Sequence, residues 1–184
     1  NVQTIYAAKV ARSYKGARPC WTRQRWDTPD GDFVDVDWQT DDTTLPQDAP
    51  LLVLFHGLEG SSSSHYAEAF AAETQQRGWE MAVPHFRGCS GEMNWAPRAY
   101  HSGDFEEIGW ILSRLRERHK GPILALGISL GGNALLRWVP DVASTRNLPA
   151  LVFASHSKDR NHLVPVRVSQ CICDTRQQIR RHHR

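Results

Sequence analysis

The 184 residues contain no apolar run close to the roughly 20 that a membrane-spanning helix requires. No apolar stretch opens the chain, so it shows no secretory signal. It starts on Asn1 rather than Met, and further sequence is expected before it. There are no internal repeats and no low-complexity linker. Cysteine is scarce: Cys20, Cys89, Cys171 and Cys173 form no CxxC pair and no zinc spacing. Reduced thiols in a cytoplasmic protein are therefore expected, with no metal. With 40% apolar and 23% charged residues the composition is globular, which excludes disordered and collagen-like classes. The length suits one domain.

Charge is present but unevenly placed. Residues 1–155 carry 15 Lys and Arg against 18 Asp and Glu, whereas residues 156–184 carry 7 against 2. The basic balance thus comes from the last stretch, which reads as a solvated end rather than a nucleic-acid-binding arm. Neither a nucleic-acid partner nor a membrane span is expected.

The patterning of residues 1–155 is α/β. Residues 23–28 and 32–38 flank Pro29-Asp30-Gly31 and read as a hairpin. The second run alternates polar and apolar residues, as a strand with one wet face does. Residues 40–50 read as a surface loop. Leu51–Phe55 is continuously apolar, the signature of a strand covered on both faces. A helix is predicted from about Ser64 to Arg77, closed by Gly78, then a strand over 79–86. Asp104 can cap a second helix to about His119, with Phe105, Ile108, Ile111, Leu112 and Leu115 on one stripe. A strand over 123–126 and a helix from Leu130 to Val139, halted by Pro140, follow. Residues 150–155 are a last strand, expected at the sheet edge. This alternation predicts a mostly parallel sheet with helices on both faces. Beyond residue 155 no helical or strand period is sustained.

The sharpest motif is Gly127-Ile128-Ser129-Leu130-Gly131, set between a buried strand and a helix. A nucleophile on a strained strand-to-helix turn needs small neighbours, because the backbone passes close to itself there. Ser129 is the candidate nucleophile. An oxyanion hole needs two donors: the amide after the nucleophile, Leu130, and one from the loop after an earlier buried strand. His56-Gly57-Leu58-Glu59-Gly60 supplies that loop, and Leu58 is the candidate. His56 is expected to position the loop. His65, His85, His101 and His119 are expected at the surface or in loops.

Six motifs in order carry a family resemblance. They are Gln3-Thr4-Ile5-Tyr6-Ala7, Asp30-Gly31-Asp32-Phe33, His56-Gly57-Leu58-Glu59-Gly60-Ser61, Arg87-Gly88-Cys89-Ser90-Gly91-Glu92, Tyr100-His101-Ser102-Gly103-Asp104 and Gly127-Ile128-Ser129-Leu130-Gly131-Gly132-Asn133. Together they resemble the YheT-like α/β-hydrolases, relatives of carboxylesterases and lipases. The resemblance covers about residues 1–139, and weakly extends to 155. It implies an eight-stranded hydrolase sheet and hydrolysis of short-chain esters or acylglycerols through an acyl-enzyme, with a small-molecule ester or lipid as substrate and no cofactor. It leaves thioesterase, peptidase and acyltransferase chemistry open.

In such enzymes the acid and the histidine follow the nucleophile in the chain. Here 55 residues follow Ser129, and neither Asp159, Asp174, His156, His162, His182 nor His183 sits after a recognisable strand. No triad acid or base is assigned. The expectation is a partial hydrolase domain over 1–155, missing its C-terminal strands. Residues 156–184 would be a basic end, disordered or read in a shifted frame. A catalytically incomplete fragment, slow on activated esters, is the alternative.

Overall fold

The computed structural model describes residues 18–40, 44–97, 104–142, 150–155 and 164–167. Strand β1 (Cys20–Asp27) turns back through Gly31, at φ +79°, into the antiparallel strand β2 (Phe33–Thr40). The apolar run Leu51–Phe55 is strand β3, wholly buried. Helix α1 (His65–Arg77) follows. Gly78, at φ +66°, ends it by donating to the Gln75 carbonyl while Trp79 donates to Thr74. Strand β4 (Glu80–Pro84), helix α2 (Phe105–Arg118), strand β5 (Ile123–Ile128) and helix α3 (Leu130–Val142) continue the strand–helix alternation. Strands β6 (Ala150–Ser155) and β7 (Val164–Arg167) come last.

Among the described residues the seven strands form one sheet in the order β1-β2-β4-β3-β5-β6-β7. Its centre, from β4 through β3 and β5 to β6, is parallel. Antiparallel strands flank that centre on both sides. Alternation along β3 divides the core. Leu51, Val53 and Phe55 face the apolar stripe of α2 (Ile108, Ile111, Leu112, Leu115) and Ala134, Leu135 and Trp138 of α3. Leu52 and Leu54 face Ala67 and Ala71 of α1. Helices therefore cover both faces, and the β3 and β5 carboxyl ends open on one edge.

Three expectations require correction. The run 150–155 is not the sheet edge, because β7 pairs with it in antiparallel register from Leu151–Arg167 to Ala154–Val164. Pro165 hid this strand from the pattern, yet proline is tolerated on an edge strand whose outer N–H makes no ladder bond. Helix α3 runs through Pro140 to Val142 rather than stopping before it. The polar face of β2 is not wet. Asp35 and Asp37 are buried, each facing an arginine across the hairpin. Arg25 binds Asp35 through two bonds of 2.8 and 2.9 Å, and Arg23 binds Asp37 through two of 2.7 and 3.0 Å. Alternation identifies the face but cannot tell water from a fork-shaped cation.

Leu115 is fully buried on α2, away from the strand carboxyl ends. Leu115→Ala is expected to destabilise the fold by about 2–5 kcal/mol in urea denaturation, through lost burial and a residual cavity.

Candidate active site

Ser129 occupies the single residue between β5 and α3, at φ +51°. A side chain in that left-handed region costs energy, so the surrounding packing must hold it there. Two glycines permit the turn. A Cβ on Gly127 would lie 2.6 Å from Gly132 Cα, and one on Gly131 would lie 2.3 Å from the Phe55 carbonyl oxygen. A larger residue at 127 would push α3 away from β5, and one at 131 would push it away from the end of β3. The Ser129 carbonyl accepts the Asn133 N–H at 3.0 Å, starting the helix. The Leu130 N–H, at the first helical position, is one of the amides that a helix cannot satisfy itself.

The loop after β3 lies against this turn. The position of a Gly57 Cβ would be 3.6 Å from Ser129 Cβ and 3.5 Å from the Ile128 carbonyl oxygen. The Gly57 carbonyl is fixed by two donors, His56 Nδ1–H at 2.7 Å and the Gly60 N–H at 3.0 Å. His56 must carry its proton on Nδ1, because Nε2 accepts the Phe86 N–H at 3.0 Å. In a trans peptide the C=O and the following N–H point in opposite directions. Fixing the Gly57 carbonyl therefore aims the Leu58 N–H the other way, and among the described residues that N–H has no partner. Leu58 exposes its side chain, at 69%. His56 thus stands where sequence reasoning put it, behind the loop. Full burial holds its pKa down at about 4, so the ring is neutral.

His85, expected at the surface or in a loop, lies in the loop after β4 but is buried. Its Nε2 meets Asp37 Oδ2 at 2.7 Å, and its Nδ1 faces the Cys89 carbonyl at 3.3 Å. Ser62 also donates to Asp37 Oδ2, at 2.6 Å. Bonds from His85, Arg23 and Ser62 outweigh the desolvation of Asp37 and hold its carboxyl well below the usual range. This carboxylate joins β1, β2, the loop after β3 and the loop after β4 at one point. His119, likewise expected outside, is buried at the end of α2, 3.6 Å from Glu80. His65 is half-buried at the start of α1, and His101 lies outside the described residues. Both nitrogens of His56 and of His85 are engaged, and the described residues after Ser129 include no histidine. His156, His162, His182, His183, Asp159, Asp174, Cys171 and Cys173 lie outside the described residues. Among the described residues no helix is long and apolar enough to cross a membrane.

Sequence reasoning missed two features. The Asp37–His85 pair joins residues 48 apart, with no local spacing to signal it. Tyr66, the second residue of α1, brings its hydroxyl to the Gly57 N–H at 3.0 Å. Nothing in the helical pattern marks that tyrosine.

The neutral state of His56 gives a pH dependence. In the unfolded chain the ring titrates near its ordinary value of about 6.5, and in the fold near 4. Between those values the unfolded state binds the extra proton, so stability falls as pH drops from 6.5 toward 4. Urea midpoints measured from pH 7 to pH 4.5 should fall. The fall should be smaller in His56→Gln, by up to roughly 3 kcal/mol of free energy.

Comparison with known proteins agrees with this geometry. The family described as the alpha/beta hydrolase fold matches residues 50–166, which include the serine turn, the loop after β3 and β7. YheT of Escherichia coli (strain K12), a protein named as an esterase, is 51% identical over 136 residues, covering 73% of this chain and 39% of that protein. Phospholipase ABHD3 of Homo sapiens is 30% identical over 128 residues, covering 67% and 31%. The chain thus spans well under half the length of these relatives. Among solved structures, a serine hydrolase without lid from Xanthomonas campestris superposes with TM-score 0.54 at 16% identity, over 72% of this chain and 69% of that one. With the parallel centre, the serine turn and the family match across most of its length, the chain belongs to the α/β-hydrolase fold family, among esterase- and lipase-type relatives.

Proposed function

We propose that this chain carries the nucleophile and oxyanion hole of a serine hydrolase of carboxylic esters. The observation that carries the reading is the left-handed backbone of Ser129 between β5 and α3, with the Gly57-Leu58 loop against it. The Ser129 oxygen attacks the ester carbonyl carbon, and the carbonyl electrons move to its oxygen. The Leu58 and Leu130 amides stabilise that developing charge. Collapse of the intermediate expels the alcohol and leaves an acyl-serine, which water hydrolyses to the acid. A base must take the Ser129 proton. His56 and His85 are both committed to other bonds, so that base is a different residue.

An ester of a fatty acid fits best. The relatives' names include an esterase, a phospholipase and, in Saccharomyces cerevisiae, a monoacylglycerol lipase. Large apolar side chains stand exposed in the loops at the same sheet edge: Leu58, and Met93 and Trp95 in the loop after β4. They suit an acyl chain better than a polar substrate. No cofactor is required for this chemistry.

A fluorophosphonate should modify the chain at Ser129, as mapped by peptide mass spectrometry. Ser129→Ala should reduce modification by at least roughly a thousandfold, since the remaining site provides no nucleophile. Modification mapped elsewhere, or unchanged in Ser129→Ala, would remove the assignment.

A further inference from the structure

We propose that Tyr66 is a catalytic residue whose phenolic O–H is a third donor to the oxyanion, beside the Leu58 and Leu130 amides. This rests on Ser129 being the nucleophile.

A phenol oxygen accepts hydrogen bonds and has one proton to donate. In Tyr66 the oxygen accepts the Gly57 N–H at 3.0 Å. Its own proton is not taken by any acceptor among the described residues. The ring is half-buried, packed against the cluster that includes Leu52, Leu54, Met81 and Ala67, and edge-on to His65 at 5.3 Å. The hydroxyl therefore cannot swing away to solvent without dismantling that packing.

Two glycines then define where the proton can go. A Cβ at Gly60 would lie 2.3 Å from the Tyr66 oxygen, so only glycine there leaves room for the hydroxyl. Gly57 differs. Its absent Cβ would meet the Ile128 carbonyl oxygen at 3.5 Å, Ser129 Cβ at 3.6 Å and the Tyr66 oxygen at 3.8 Å, which are ordinary contacts, and its φ is not in the left-handed region. Neither crowding nor backbone conformation demands glycine at 57. The point left by the missing methyl lies within van der Waals reach of the nucleophile's side chain, the phenol oxygen and the Ile128 carbonyl oxygen, so the serine and the tyrosine border the same small space. A carbonyl carbon bonded to the Ser129 oxygen places its own oxygen in that neighbourhood. A tyrosine proton aimed there strengthens as charge accumulates, which is the requirement for transition-state stabilisation.

The test uses the full chain and needs no general base. In Ser129→Cys the thiol is acetylated with carbonyl-labelled p-nitrophenyl acetate. The infrared band of the acyl carbonyl is then read by difference from identically treated Ser129→Ala, which cancels acylation of the other cysteines. A hydrogen bond lowers the carbonyl frequency. The band should lie below that of the same chain unfolded in urea. It should rise when Tyr66→Phe is added, and it should fall further when Tyr66 is replaced by 3-fluorotyrosine. Fluorination makes the phenol a stronger donor and a weaker acceptor, so it separates the proposal from a role limited to holding Gly57. It also keeps the test intact if the phenylalanine variant fails to fold. For attack by Ser129 itself, Tyr66→Phe should slow fluorophosphonate modification by roughly 10²–10³-fold, as loss of one oxyanion donor does. A lowered band indifferent to both changes, or raised by fluorination, overturns the proposal and leaves the Ser129 reading standing. A band no lower than that of the unfolded chain also overturns the proposal, whereas the Ser129 reading falls only if fluorophosphonate modification maps elsewhere or persists in Ser129→Ala.

Discussion

The approach of helix α3 to the end of strand β3 governs the rest of the site. Gly131 allows the helix to start almost in contact with the Phe55 and His56 carbonyls, 2.3 and 2.6 Å from where its Cβ would be. That closeness forces the chain to leave β5 through one residue in the left-handed region, and that residue is Ser129. A strained serine persists only where the neighbours over-determine it, at a cost of about 1–3 kcal/mol. Here β3 and β5 are paired in register from Leu51–Ile123 to Phe55–Gly127, and the apolar faces of both helices fix the remaining freedom. The sheet's stability is thus spent in part on keeping one hydroxyl at its edge.

The same edge depends on buried polar groups rather than on apolar packing alone. Asp37, with Arg23, Ser62 and His85, joins the loops after β3 and β4 to the hairpin. Arg87, buried in the loop after β4, binds Asp32 at 2.9 Å and Glu107 at 2.7 Å, so that loop is also held to the hairpin turn and to α2. Removing one member of such a pair leaves a charge without its partner in the interior, a far larger loss than that of an exposed ion pair. His56 fits the same scheme, with one nitrogen on the backbone of each loop. The two loops are therefore coupled, and the amide of Leu58 inherits its direction from contacts that begin at Phe86.

The serine turn was legible in the sequence because its chemistry is local. Gly127, Ser129 and Gly131 are adjacent, and the strand and helix on either side have strong periods of their own. The apolar run of β3 and the Gly78 helix stop were legible for the same reason. The buried Asp35 and Asp37 were not, because a carboxylate alternating with valine looks the same whether its partner is water or an arginine on the opposite strand. His85 gave no signal, since its partner is 48 residues away. Strand β7 was hidden by its four-residue length and by Pro165. Tyr66 looked like any aromatic at the start of a helix. Its position against Gly57 exists only after β3 and α1 have packed.

The most direct test of the account is a crystal structure of the chain after reaction with a phosphonate ester. The adduct should be on the Ser129 oxygen, with Ser129 still left-handed. The phosphonyl oxygen should lie about 2.7–3.1 Å from the amide nitrogens of both Leu58 and Leu130. An adduct whose phosphonyl oxygen faces away from those amides, or a Ser129 relaxed into the regular helix, would contradict it.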